Sequence, residues 1–298
     1  MKTLILGVTG MLGHQIYLKF KESGKFSSVK GTIKEKKELL KNYKFFNLAD
    51  IYDNIDFSKN GFQLIKDIIL KYKPDVVVNC VVIKPNNETR EKYFLINSFL
   101  SHYLAKLLNL SKGRLIQIST DGVFKGNKGN YSESDVSNAD DLYGQSKFFG
   151  EVYYDNHLTI RTSVFGHELF GRGELVEWFI SAPKSVKGYE NVYFSGVSTN
   201  SLSEIIIKLI KFKASGIINI GSKKKISKYD LLCLIDREYG LKKKITPKKV
   251  KQKVDRSLNV NKMIKFDIYP PSYTKMVKKM REEYLEREIY YYGDANKK

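Results

Sequence analysis

The sequence predicts an α/β fold: a doubly wound parallel sheet followed by a smaller C-terminal substrate-binding region. Three observations carry that reading. Over residues 1–165, short apolar runs alternate with amphipathic stretches of helical spacing, the pattern of strands crossed by helices. Residues 75–82 are so uniformly β-branched that they belong to a strand covered on both faces. A glycine-rich turn, Gly7-Val8-Thr9-Gly10-Met11-Leu12-Gly13, follows the first apolar run directly.

Residues 2–6 form the first strand, and residues 11–21 place Leu12, Ile16 and Phe20 on one face of a helix. A second strand spans 27–33. Residues 61–72 form a helix with Phe62, Ile65, Ile68 and Ile69 on one side, before the buried strand 75–82. A helix over 94–110, a strand over 114–119, a helix over 143–154 and a strand over 158–163 continue the alternation. Short connections make a parallel sheet with same-handed crossovers the economical solution, so residues 1–165 are expected to form a dinucleotide-binding Rossmann domain. Across residues 166–298, the substrate-binding region, the alternation loosens. Helices are expected around 175–180, 202–212 and 228–239, with a strand over 216–220 free to rejoin the sheet. Residues 294–298 read as a frayed tail.

Composition excludes several function classes. The chain has 298 residues and a formal charge of +20, which raises nucleic acid, an anionic surface or a phosphorylated ligand as partners. The lysines, however, are scattered in short clusters that read as solvated faces, and no basic helix or aromatic platform accompanies them. No nucleic-acid partner is expected. Cys80 and Cys233 lie far apart in apolar surroundings and read as reduced core thiols, while the four histidines show no metal-ligand spacing. No apolar run approaches the roughly 18 residues of a membrane span, so no membrane insertion is expected and a cytoplasmic location follows by default.

The glycine turn brings backbone close to a bound pyrophosphate, and the helix after it offers unpaired N–H donors. Gly7, Thr9, Gly10, Met11, Leu12 and Gly13 are therefore candidate cofactor ligands, with Asn79 on the buried strand. A preference for NAD(H) usually requires an acid at the end of the second strand. Here that strand ends Gly31-Thr32-Ile33-Lys34. A cation at Lys34 suits a 2′-phosphate, so NADP(H) is the expected cofactor and NAD(H) the alternative.

Tyr143-Gly144-Gln145-Ser146-Lys147 opens a helix, and the four-residue spacing puts phenol and ammonium on one face. An adjacent ammonium favours the phenolate and so tunes a tyrosine as a general acid. Ser119 and Thr120 follow a buried strand at the carboxyl edge of the sheet, where ligands bind in open α/β folds.

These residues, with Asp121-Gly122-Val123-Phe124-Lys125-Gly126, Tyr131, Glu133, Asp135, Gly150-Glu151, Asn97, Arg161-Thr162-Ser163 and Arg256-Ser257-Leu258-Asn259, make the chain resemble the dTDP-4-dehydrorhamnose reductase branch of the extended short-chain dehydrogenases over nearly its whole length. The resemblance implies NADPH-dependent reduction of a 4-keto group on a nucleotide-activated deoxysugar. It implies that Tyr143 protonates the carbonyl oxygen, that Thr120 hydrogen-bonds it, and that Lys147 holds the nicotinamide ribose as well as tuning Tyr143. It further implies that Asn47 and Leu48 contact adenine, that Asp121 and Val123 flank the substrate, and that Arg256 binds its diphosphate.

The chain departs from the family pattern in three ways. Gly122 stands where a bulky residue is common, Val81-Val82 where small residues line the nicotinamide, and Asn47 where Asp is usual. Trp178 either stacks on the nucleotide base or belongs to the core. A UDP- or GDP-sugar ketoreductase or epimerase is the competing enzyme reading. A dehydratase is disfavoured because Thr120-Asp121-Gly122 supplies one acid rather than a pair. From another class comes a non-catalytic NADP-binding regulatory subunit, which the intact Thr120, Tyr143 and Lys147 oppose. Whether the chain forms a homodimer is left open.

Overall fold

Leu4 and Leu6 of β1 (Lys2–Leu6) face one side of the sheet and Ile5 the other, and all three are fully buried in separate apolar clusters. The two-residue period of a strand thus serves two cores at once. Burying each such side chain contributes roughly 1.5–3 kcal/mol. The same split recurs in β4 (Val76–Asn79), where Val77 enters one cluster and Val76 and Val78 the other.

The computed structural model describes residues 1–85 and 88–287, so the tail expected to fray, 294–298, lies outside the described residues. After β1 come α1 (Met11–Glu22), β2 (Ser28–Thr32), β3 (Ile51–Tyr52), α2 (Gly61–Tyr72) and β4. Next are α3 (Arg90–Phe94), α4 (Leu100–Leu110), β5 (Arg114–Ile118), α5 (Leu142–Phe149), β6 (Leu158–Thr162) and β7 (Val164–Phe165). The C-terminal part holds α6 (Leu175–Ser181), β8 (Ser185–Tyr189), β9 (Val192–Phe194), β10 (Val197–Ser198), α7 (Thr199–Lys211) and β11 (Gly216–Ile220). It ends with β12 (Ile226–Ser227), α8 (Lys228–Tyr239), β13 (Lys244–Lys248), β14 (Val254–Asp255), α9 (Asn261–Ile264) and α10 (Tyr273–Glu286).

The main sheet has seven strands in the order β11-β6-β5-β4-β1-β2-β3, every adjacent pair parallel. Strand order reverses between β1 and β4, and the crevice at their carboxyl ends is where ligands bind in such sheets. β11 joins the sheet beside β6, as the sequence allowed. Smaller sheets, β12-β9-β14, β10-β7 and β13-β8, build the region beyond.

Four departures from expectation have a local reason. The strand expected over 75–82 stops at Asn79, whose side-chain oxygen accepts from the Val81 N–H at 3.1 Å and turns the chain out of the ladder. The helix expected over 94–110 is broken by a π-turn at Leu95–Phe99. The wider turn aims Asn97 at Ile83, which it grips through both backbone groups at 2.8 and 2.9 Å, and at Ser146 Oγ at 3.0 Å. The helix expected over 143–154 ends at Phe149, because Gly150 packs so tightly that a Cβ there would stand 1.9 Å from the Asn97 carbonyl oxygen. Finally, α10, unforeseen in the sequence, is capped by Ser272 and buries Met276, Val277 and Met280. Its Glu283 accepts from Lys19 at 2.8 Å and Gln15 at 3.1 Å on α1. Among the described residues, no helix is long and apolar enough to cross a membrane.

Candidate active site

Three contiguous clefts run along the carboxyl edge of the sheet. The first, about 290 Å³, is lined by Gly7, Thr9 and Gly10, the end of β2 from Thr32 to Glu35, and Ile55-Asp56-Phe57-Ser58. The second, also about 290 Å³, is lined by Gly10 to Gly13, Cys80 to Val82, Thr120, Tyr143, Lys147 and Glu174. The third, about 550 Å³, is lined by Thr120, Asp121, Gly122, Tyr143 and Arg256. Shared walls join them: Gly10 and Val81 line the first two, Thr120 and Tyr143 the last two.

The glycine turn is shaped for a close ligand. Gly7 has a φ of +77°, and a Cβ on Gly13 would stand 2.1 Å from the Gly7 carbonyl oxygen, so only glycine lets α1 pack against the turn. Gly10 caps α1 without a side chain, leaving the first N–H groups of the helix without a side-chain acceptor at the cleft wall. That combination accepts a phosphate, so these residues fit a dinucleotide.

At the outer end of the first cleft Lys34 stands 3.6 Å from Asp56. Burial opposes ionisation of Asp56, but the Ser58 amide and Lys34 outweigh it and hold the carboxyl below its ordinary range. Glu35 lines the same cleft, so the strand end carries an acid as well as the cation. Asn47 and Leu48 line none of the three clefts. They start a short 3₁₀ turn in which Asn47 accepts from the Ala49 N–H and whose Asp50 pairs with Lys21 of α1. Asp56 and Phe57 stand on the cleft in their place. The signal that could have found them is the acid-then-aromatic pair soon after a second short strand, but β3 is two residues long and leaves no periodicity to read.

Thr120 follows β5, and its Oγ1 accepts from the Gly122 N–H at 3.0 Å, fixing the turn. A Cβ on Gly144 would stand 2.3 Å from the Gly122 carbonyl oxygen, which seats α5 directly on that turn. Asp141 caps α5 by accepting from the Gly144 N–H at 2.7 Å. The result brings Thr120, Tyr143 and Lys147 to one cleft. Burial pushes the Tyr143 phenol up to about 12, while contact with the Thr120 hydroxyl pulls the other way. Burial draws Lys147 down to about 8, and its Nζ donates to the Ile118 carbonyl at 2.6 Å. Desolvation, rather than the neighbouring ammonium, dominates Tyr143 and keeps it an O–H at neutral pH.

Beneath this wall lies a buried ion pair. Arg161 of β6 clasps Glu151 with two bonds, at 2.8 and 2.7 Å, and Glu151 accepts from Ser119 Oγ at 2.8 Å. The strand end that carries Thr120 is thereby held in place.

Asp121 and Arg256 face each other across the third cleft. Burial pushes Asp121 up, against Arg256 and Lys228, which favour the carboxylate. Arg256 Nε is buried without a hydrogen-bond partner, a vacant donor at a polar wall. Val123 is wholly enclosed with Phe124, Tyr131 and Leu258, so it supports the turn from below instead of flanking the cleft. Asn79 is likewise turned inward, donating to Gln117 at 2.8 Å. Trp178 is 41% exposed on α6, neither in the core nor on any of the three clefts. Cys80 packs against the main apolar cluster, as expected, and also lines two clefts, with its thiol pushed up to about 12 by burial. Val81 and Val82 border the same two clefts. Lys84 and Glu174 pair across the second cleft.

Residues 1–285 match the family described as RmlD substrate binding domain. The spore coat polysaccharide biosynthesis protein SpsK of Bacillus subtilis is 28% identical over 253 residues, 80% of each chain. Methionine adenosyltransferase 2 subunit beta of Danio rerio is 25% identical over 255 residues, 80% of this chain and 74% of that one. Among solved structures, a hypothetical dTDP-4-dehydrorhamnose reductase from Sulfolobus tokodaii superposes with a TM-score of 0.75 at 26% identity, covering 92% of this chain and 98% of its own. With the glycine turn, Thr120, Tyr143 and Lys147 gathered on one crevice and the family match spanning nearly the whole length, the chain belongs to the RmlD substrate binding domain family.

Proposed function

We propose that this chain is an NADPH-dependent reductase of the 4-keto group of a nucleotide-activated deoxysugar, serving the synthesis of a surface polysaccharide. The observation that supports it most directly is a tyrosine kept protonated at the junction of two clefts, one beside the glycine turn and one leading to Arg256. The nicotinamide supplies a hydride to the carbonyl carbon when bound. The carbonyl oxygen gains negative charge as that bond forms, and Tyr143 gives it the phenolic proton, so ketone becomes alcohol. Thr120 steadies the same oxygen. Lys147, an ammonium below about pH 8, holds the nicotinamide ribose and offsets the phenolate left on Tyr143. The raised phenol pKa keeps the proton on Tyr143 in the resting site, which is the form that reduction uses. Lys34 at the mouth of the first cleft suits a 2′-phosphate, and Asp56 suits the amino group of adenine. Arg256 takes the substrate diphosphate through its vacant Nε.

The similarity to methionine adenosyltransferase 2 subunit beta favours a second reading, a cofactor-binding regulatory subunit. Following NADPH oxidation with a panel of dTDP-, UDP- and GDP-4-keto-6-deoxy sugars separates the two. Turnover of any member is expected. Protein that binds NADPH tightly and turns over none supports the regulatory reading.

A further inference from the structure

The small sheet β12-β9-β14 sets two cations on one face. β9 pairs antiparallel with β12 and parallel with β14, so Ser227, Tyr193 and Asp255 form one row. Lys228 and Arg256 are the residues that follow the two outer members of that row. One step past a row, in either direction, side chains turn to the opposite face, so both cations share the face of Phe194. The contacts agree: Lys228 Nζ lies 4.0 Å from the centroid of the Phe194 ring, and the Arg256 N–H donates to the Tyr193 carbonyl at 3.0 Å.

Lys228 sits where ordinary electrostatics disfavours a cation. It is the first residue of the 12-residue helix α8, at the positive end of the helix dipole. Arg256, a second cation, repels it, and burial depresses its pKa, with only Asp121 and Glu174 favouring the charge. Asp121 is itself pushed toward the neutral acid by burial and accepts from Thr120 Oγ1 at 3.3 Å. Among the described residues, the Lys228 ammonium is placed over an aromatic ring and closes no ion pair. Nearby, Arg256 Nε is buried and unpartnered. Arg256 lines a cleft of about 550 Å³, and Lys228, on the same face of the small sheet, lies close enough to act on Asp121 of that cleft wall.

We propose that Lys228 and Arg256 together clamp the diphosphate of the substrate, so that Lys228 is a specificity-determining residue that distinguishes a nucleoside diphosphate from a monophosphate. This rests on the nucleotide-sugar reading above. Arg256 supplies a directional fork, and Lys228 a point charge on the other side of β9. A monophosphate carries one phosphoryl group and engages one of the two cations, whereas a diphosphate spans both.

The test is calorimetric titration of the NADPH-bound protein with dTDP, UDP, GDP and ADP and with the matching monophosphates. Wild-type protein should bind at least one diphosphate about tenfold or more tighter than its monophosphate. Lys228→Met should weaken that diphosphate about 10- to 100-fold, the usual range for a charged hydrogen bond, and the monophosphate by less than about threefold. Lys228→Arg should restore most of the difference. Lys228→Gln, which keeps a hydrogen-bonding head, is measured in parallel with thermal melts, so that misfolding of one variant leaves the comparison intact. A neutral variant that keeps the wild-type preference overturns the clamp while leaving the nucleotide-sugar reading standing, and so does equal weakening of both ligands. Wild-type protein that binds no nucleotide of the panel overturns the reading and the clamp together.

Discussion

The two walls of the cleft are made by different means. On the sheet wall each functional group comes from a short stretch of chain: one glycine turn between β1 and α1, one residue after β5, and two side chains a helical turn apart on α5. Across the cleft, Lys228 and Arg256 come from two separate segments brought together by the register of a small sheet, and Glu174 from a third, just ahead of α6. The first wall is held by buried polar bonds, above all Glu151 to Arg161. The second is held by partly exposed ones, such as Lys225 to Asp255 at 2.5 Å. On the proposed reading, chemistry falls where the backbone is fixed by local geometry, and ligand selection where it is fixed by long-range pairing. Replacing residues on the first wall should therefore cost turnover, and on the second, affinity.

Tyr143→Phe should show the largest effect. It keeps the ring and removes only the proton donor, so kcat should fall about 10²- to 10⁴-fold, the range for losing a general acid. Cofactor affinity and Tm should stay near wild type. Arg256→Ala should do the opposite, raising KM for the sugar nucleotide by about 10- to 100-fold with little change in NADPH binding. Equal loss of both ligands in that variant would place Arg256 in the scaffold and erase the contrast.

Stability offers an independent comparison. Glu151→Ala strands the Arg161 guanidinium, which is 2% exposed, in the interior. Removing one partner of a buried pair costs about 3–5 kcal/mol, so Tm should drop by roughly 10 °C. Lys225→Ala breaks a pair whose lysine is 43% exposed and should cost only about 0–1 kcal/mol. Comparable melts for the two variants would show that the walls are equally firm.

That asymmetry also governs what could be read from the sequence. Gly7 to Gly13, Thr120, Tyr143 and Lys147 are visible because a turn, a strand end and a helical spacing each leave a local pattern. Gly150 and Asn97 belong to the family pattern, but their purpose appears only when the missing Cβ of one is seen against the carbonyl of the other. Asn47 and Leu48 were expected to contact adenine because of the family resemblance, yet they lie off the first cleft, which Asp56 and Phe57 line, past a strand too short to announce itself. Val123 shares its motif with Thr120 and Asp121, yet the 3₁₀ turn at Asp121–Val123 rotates it into the core. Lys228 was hidden among many surface lysines, and only sheet pairing sets it apart.

The pH dependence of reduction tests whether desolvation sets the proton inventory. Lys147 is an ammonium below about 8 and loses that charge as pH rises through it. Tyr143, pushed up to about 12, remains a phenol across the same interval. The kcat/KM for reduction should thus be flat from about pH 6 to 8 and fall above it, with the descending limb assigned to Lys147. Lys147→Arg keeps a cation whose intrinsic pKa exceeds about 12; residual activity in that variant should lack the limb near pH 8. A limb that persists there would have to come from another group.

Cofactor choice is expected to show the smallest effect, because it depends on an exposed residue. Lys34 is 62% exposed and 3.6 Å from Asp56, so its charge is screened by water and already shared with a carboxylate. A 2′-phosphate arriving beside it gains one charge-assisted contact, and Glu35 on the same cleft partly opposes that gain. Wild-type protein should therefore prefer NADPH to NADH by about tenfold, the scale of one such contact, rather than absolutely. Lys34→Glu should flatten or reverse the ratio, while kcat with saturating cofactor stays within about twofold, since no part of the proton path is touched. Raising salt to 0.5 M should shrink the wild-type preference, because screening at about 4 Å Debye length weakens an exposed contact. Fluorescence titration of both cofactors, wild type against Lys34→Glu at two salt concentrations, reads all of this. Clearly tighter NADH binding by the wild type would move the decisive group from Lys34 to Glu35 and reassign the cofactor.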